Sequence, residues 1–144
     1  MERILDWNKY LDTAAKMVSE GIVMLKNENN ALPLDTDKEV AVFGRIQFHY
    51  YKSGTGSGGM VNVTKVVNIL DGLIDNGVKV NEKLLDTYRK WDKENPFDLG
   101  EGWGGEPWSQ KEMPLDEGLV KETAKSCETA IVIIGRTACL LYTS

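Results

Sequence analysis

His49-Tyr50-Tyr51-Lys52-Ser53 gathers the chain's only histidine, two phenols, an ammonium and a hydroxyl into consecutive positions. Sugars are bound by aromatic faces that stack on the C–H surface of the ring, and by planar or charged groups that hydrogen-bond its hydroxyls. These residues offer both kinds of group, although composition alone does not make them specific, and a lone histidine is more often packed or solvated than catalytic. Directly after them, Gly54-Thr55-Gly56-Ser57-Gly58-Gly59 spells a GxGxxG, the pattern that holds a pyrophosphate at a helix N-terminus. In that fingerprint the first glycine follows straight on a strand, whereas nine residues separate Gly44 from Gly54 here. The acidic residue expected after the second strand is matched only weakly by Glu82, and no Gly-Lys-Ser/Thr follows to make a Walker A loop. On these residues three readings stay open: a Rossmann-type nucleotide-binding domain, a noncatalytic carbohydrate-binding module, and a plain turn before a helix.

A second concentration of chemistry lies between Asn95 and Pro114, where Glu101 and Glu106 alternate with Trp103 and Trp108. Two carboxylates beside tryptophans invite an acid/base reading, but their spacing gives it no support and solvated loop glutamates are common. Other chemistries are disfavoured. One histidine and two cysteines, Cys127 and Cys139, without a CxxC pair, argue against a zinc site and against a disulfide framework. A net charge of -5 opposes binding to a phosphate backbone, which needs clustered Lys and Arg. No run of residues suits a signal peptide or a membrane span, so the expected compartment is the cytoplasm.

The elements that must position these residues read as alternating helices and strands. Asp6 caps a helix from about Trp7 to Glu20, with Leu11, Ala14, Ala15 and Val18 on one face and Gly21 at its end. Val40 to Phe43 is a short β-branched run ending at Gly44, read as a buried strand. Val63, Val66, Val67, Leu70, Leu73 and Ile74 recur at helical spacing up to Asn76-Gly77. Val78 to Val80 forms a second short strand, and Asn81 caps a helix whose Leu84, Leu85, Tyr88 and Trp91 share a face. Asn95 to Pro114 has no period, and a loop of that length inside a domain is functional or disordered; its aromatics argue against disorder. Asp116 caps a helix to about Cys127, a residue expected in the core, and Ala130 to Ile134 is the strongest strand. This order predicts one α/β unit: a partial, parallel or mostly parallel sheet flanked by helices.

Several segments together resemble family 3 glycoside hydrolases, the β-glucosidase and β-xylosidase group, in their α/β sandwich domain. The residues that carry this are EGIVMLKNENNALPL from Glu20 to Leu34, VAVFG from Val40 to Gly44, SGTGSGG from Ser53 to Gly59, and AIVIIGRTA from Ala130 to Ala138. The resemblance implies an incomplete α/β sandwich over residues 1–138, working without metal or organic cofactor. It also implies a partner (β/α)8 barrel, absent from this sequence, that supplies the nucleophilic carboxylate. A retaining glycosidase needs two carboxyl groups about 5 Å apart, one to attack and one to protonate the leaving oxygen.

Many members place the acid/base Glu just after the last strand, in a phrase like GRTAGE. Gly135 to Ala138 match GRTA, but Cys139 and Leu140 stand at the Gly and Glu positions. Leucine donates no proton, so no catalytic residue is expected in this chain. Cys139 to Ser144 (CLLYTS) are expected to be a non-native tail, since a transposon-end sequencing adapter can encode them. The sandwich beginning near Met1 points to a reversed-order member with its barrel downstream, and to a fragment inactive by itself. The resemblance implies that Arg45, His49, Tyr50, Tyr51, Lys52 and Ser53 face the barrel's pocket and a β-glucoside or β-xyloside in it. Trp103 and Trp108 are candidates for an aromatic wall at an outer subsite, and Arg136 for orienting a carboxylate.

Overall fold

A computed structural model describes residues 5–51, 62–63, 65–102 and 105–137. The chain divides into two compact units, Met1–Pro33 and Leu34–Ser144. The first unit holds helix α1, Trp7–Gly21, whose N-cap Asp6 accepts a hydrogen bond from the Lys9 amide at 3.1 Å. No residue of α1 is buried, the expected face of Leu11 and Val18 included. After it, Ile22 to Leu25 lies exposed, and Asn27 ties the following turn through two hydrogen bonds to the Leu32 backbone.

In the second unit, β1 (Glu39–Phe43), α2 (Ile69–Asp75), β2 (Lys79–Val80), α3 (Glu82–Glu94), α4 (Glu117–Ser126) and β3 (Thr129–Val132) follow in chain order. The three strands form one sheet in the order β2-β1-β3, with both pairings parallel. The central strand is buried on both faces, which a β-branched run suits. Val40 and Val42 meet Leu70 of α2 and Ile133, while Ala41 and Phe43 meet Leu84 and Tyr88 of α3 and Cys127. Alternation along β1 thus joins two apolar layers through one strand.

The parallel sheet and its helices are those expected, with one correction. The helix expected to begin near Val63 begins at Ile69; residues 62–63 and 65–68 are not helical. Asn68 is the cap, accepting from the Asp71 amide at 2.7 Å. The β-branched Val66 and Val67 before it lose side-chain freedom in a helix, and their exposure gives no packing to offset that.

Gly44, at the end of β1, has φ 104°, and a Cβ there would stand 2.1 Å from the Ile133 carbonyl oxygen. Only glycine allows the chain to turn there while the backbone leaving β3 runs this close.

Candidate functional site

β2 lies on one side of β1 and β3 on the other, so the connections diverge beyond the carboxyl ends of β1 and β3. Ligands of open α/β sheets bind at such divergence points. Two segments meet there: Gly44 to Tyr51 leaving β1, and Ile133 to Thr137 leaving β3. A cavity of about 380 Å³ lies at the base of both, lined by Tyr88, Glu112, Met113, Ile133 and Arg136 among others, with Gly44 alone from the first segment.

Arg45 is the anchor of the first segment. It is 1% exposed, and its Nη2 donates to Asp92 Oδ1 at 2.7 Å and to the Asn95 carbonyl at 2.7 Å. Nη1 donates to the Lys111 carbonyl at 3.0 Å, and the guanidinium sits 5.0 Å from the Trp91 ring and 5.5 Å from that of Phe97. The Arg45 amide donates to Glu112 at 3.0 Å, and the Gly44 amide to the Tyr88 hydroxyl at 3.0 Å. Burial pushes the Tyr88 phenol above its ordinary value. A cation so enclosed holds the segment's base in place; what reaches solvent lies beyond it.

Beyond the buried Gln47, His49 is partly exposed, with Nε2 2.7 Å from Asp92 Oδ2 and its ring 4.7 Å from Phe97. Tyr50 is exposed, while Tyr51 packs its ring 5.9 Å from Phe97 and has its phenol pushed up by burial.

The second segment is held by the long loop. Thr137 is buried, its amide donating to the Trp108 carbonyl at 3.0 Å and its hydroxyl to the Pro107 carbonyl at 2.9 Å. Those bonds bring exposed Trp108 beside the exit of β3, where exposed Arg136 lies. Within the loop, Gln110 closes a ring of two hydrogen bonds with the Asp98 backbone at 2.7 and 2.8 Å. This long-range stapling orders a stretch that has no sequence period.

Of the residues singled out from the sequence, the structure brings Arg45, His49 and Tyr51 together around Phe97, and Trp108 to the end of β3 near Arg136. Lys52, Ser53, the GxGxxG run, Trp103 and the tail with Cys139 and Leu140 lie outside the described residues. Sequence reasoning missed Asp92, which carries both Arg45 and His49. Its signal was present: Asp92 is four residues beyond Tyr88 on the apolar stripe of α3, a charge where the pattern asks for a hydrophobe. Among the described residues, no group of three or more His, Cys, Asp or Glu is placed to hold a metal, and no helix is long and apolar enough to cross a membrane.

Residues 22–140 match the glycosyl hydrolase family 3 C-terminal domain. The chain belongs to this family. It is 62% identical over 134 residues to a beta-glucosidase of Ruminococcus albus, covering 93% of this chain and 14% of that protein. It is 31% identical over 137 residues to beta-glucosidase A of Butyrivibrio fibrisolvens, covering 94% of this chain and 16% of that one. Among solved structures, a beta-glucosidase from Paenibacillus barengoltzii superposes with a TM-score of 0.84 at 51% identity, covering 95% of this chain and 15% of that one. Beta-glucosidase 3B from Thermotoga neapolitana, in complex with glucose, follows with a TM-score of 0.77 at 29% identity, covering 92% of this chain and 18% of that one. The chain therefore spans about a seventh of the Ruminococcus relative's length. In this family 3 C-terminal domain, the cavity and its flanking segments sit at the carboxyl ends of the sheet.

Proposed function

We propose that this domain forms one wall of the sugar pocket of a retaining β-glucosidase. The carboxylate nucleophile comes from a (β/α)8 barrel outside this sequence. The reading is carried by the site's position: a rigidly anchored segment bearing His49 and Tyr50 shares the carboxyl edge of the sheet with Trp108 and Arg136. Imidazole and phenol groups suit sugar hydroxyls, and an exposed indole suits the C–H face of a sugar ring. The relatives are beta-glucosidases, which supports a β-glucoside as the substrate class; a cytoplasmic setting in carbohydrate metabolism belongs to the same proposal. Arg45 serves this wall as its buried anchor. Position 140, where the resemblance puts the acid/base Glu, is leucine, which donates no proton to a leaving oxygen.

The test is a domain exchange. Residues 22–137 replace the matching segment of the Ruminococcus relative, and the chimera is assayed with an aryl β-glucoside beside the isolated chain. The chimera is expected to turn over and the isolated chain to stay at the buffer blank. A folded chimera without activity, or turnover by the chain alone, would overturn the reading.

A further inference from the structure

Asp92 divides its two oxygens between partners of opposite character. Oδ1 meets the Arg45 guanidinium at 2.7 Å, and Oδ2 meets His49 Nε2 at 2.7 Å. The Arg45 side cannot yield, because that side chain is buried, sandwiched by Trp91 and Phe97, and bonded to two further carbonyls. The carboxylate itself rises from α3, so it is fixed at both ends. His49, at the partly exposed end, must take the orientation that the carboxylate dictates, with Phe97 at 4.7 Å and Phe48 at 6.3 Å confining the ring plane.

We propose that Asp92 is a positioning residue that fixes the ring orientation and the tautomer of His49 for hydrogen bonding to a sugar hydroxyl. The proposal rests on the pocket-wall reading of His49 given above. An ionised carboxylate only accepts, so Nε2 must carry the proton that faces it. In the neutral ring Nδ1 is then the acceptor, which suits a ligand rich in hydroxyl donors. A tautomer held by a carboxylate behind it needs no reorganisation when the ligand arrives.

The near-isosteric variant Asp92→Asn gives a sharp expectation. Arg45 has only donors and claims the single amide oxygen, which turns the amide NH2 toward His49. Nε2 must then accept, and the proton moves to Nδ1. Because His49 is the only histidine, ring nitrogen-15 spectra of the full chain need no assignment. With the ring in its neutral form, the chain is expected to show Nε2–H with slow solvent exchange, and Asp92→Asn to show Nδ1–H. An Nδ1–H ring or a freely averaging one in the unsubstituted chain overturns the proposal even if the variant fails to fold. Retention of Nε2–H in a folded Asp92→Asn overturns it as well, and leaves the pocket wall standing. In the chimera, Asp92→Asn is expected to raise KM for the aryl glucoside about tenfold with kcat changed less than about twofold. An inverted tautomer with an unchanged KM would instead remove His49 from the pocket wall, and the sugar-binding role of Asp92 with it.

Discussion

Arg45 is a buried charge whose partners are nearly all acceptors with nowhere else to turn: one carboxylate of Asp92 and the carbonyls of Asn95 and Lys111. Deleting one member of a buried pair costs more than the pair contributes, since the remaining charge keeps its desolvation and loses its partner. Arg45→Met is expected to destabilise the chain by about 3 kcal/mol, read as a lower urea midpoint at unchanged slope. Arg45→Lys should fall between the two. It restores a charge for Asp92, but a point ammonium cannot fork to the carbonyls. Equal midpoints for Lys and Arg would show that the fork is unimportant. Tyr88 makes the complementary case for a buried neutral group. Burial raises its phenol above the ordinary value of 10.0, so the folded chain holds the proton more firmly than the unfolded one. That contribution is complete below the unfolded value and is lost as pH rises through the raised one. The urea midpoint is therefore expected to drop as pH rises above about 10, the ordinary phenol value. Tyr88→Phe should drop less, with Tyr51 supplying part of the remainder; equal drops would clear Tyr88 of the effect.

Helix α3 is the element on which the candidate site depends, because it delivers Tyr88 to Gly44 and Asp92 to Arg45 and His49 one turn apart. Its start is set by Asn81, which accepts from the Leu84 amide at 2.9 Å and donates to Glu39 at 3.0 Å. Asn81→Ala is expected to cost about 1 kcal/mol through the lost cap. A folded variant with an unchanged midpoint would mean that the helix is held by packing alone. This cap and the stripe Leu84, Leu85, Tyr88 are plain in the sequence because they are local, repeating at helical spacing next to an Asn that can only help at an end. The strands are equally plain, β1 as a β-branched run bounded by charge and glycine. What stayed hidden is non-local. No period announces that Thr137 will hold the Trp108 stretch, or that Gln110 will close on Asp98. The start of α2 departs from the sequence pattern for a related reason. Val63, Val66 and Val67 keep helical spacing, but with no tertiary layer over them the cap at Asn68 decides where the helix begins. Asp92 was readable as an anomaly on an apolar stripe; its two partners, Arg45 and His49, were not.

Across the whole molecule, apolar surface stands open in each unit. The first exposes Trp7, Leu11, Met17 and Val18 on α1, followed by Ile22 to Leu25, with Leu25 93% exposed. The second exposes Val132 and Ile134 where β3 ends. β3 is also an edge strand, paired only with β1 among the described residues. Scattered exposed hydrophobes are ordinary, but a run of four exposed apolar residues and an unpaired strand edge are both surfaces on which chains associate. In proteins of which this chain covers 14% to 18%, there is ample further polypeptide to lie over them. We therefore expect the 144-residue chain to self-associate at roughly 100 μM, where exposed edges and apolar surface drive association, and sedimentation velocity would show species beyond the monomer. Replacing Val23 and Leu25 by Asp should lower the association if the first unit drives it, while replacing Ile134 by Lys should lower it if the strand edge does. The two routes separate cleanly because the substitutions lie in different compact units. A monomer at that concentration, with a single sharp unfolding transition, would mean that neither surface needs a cover.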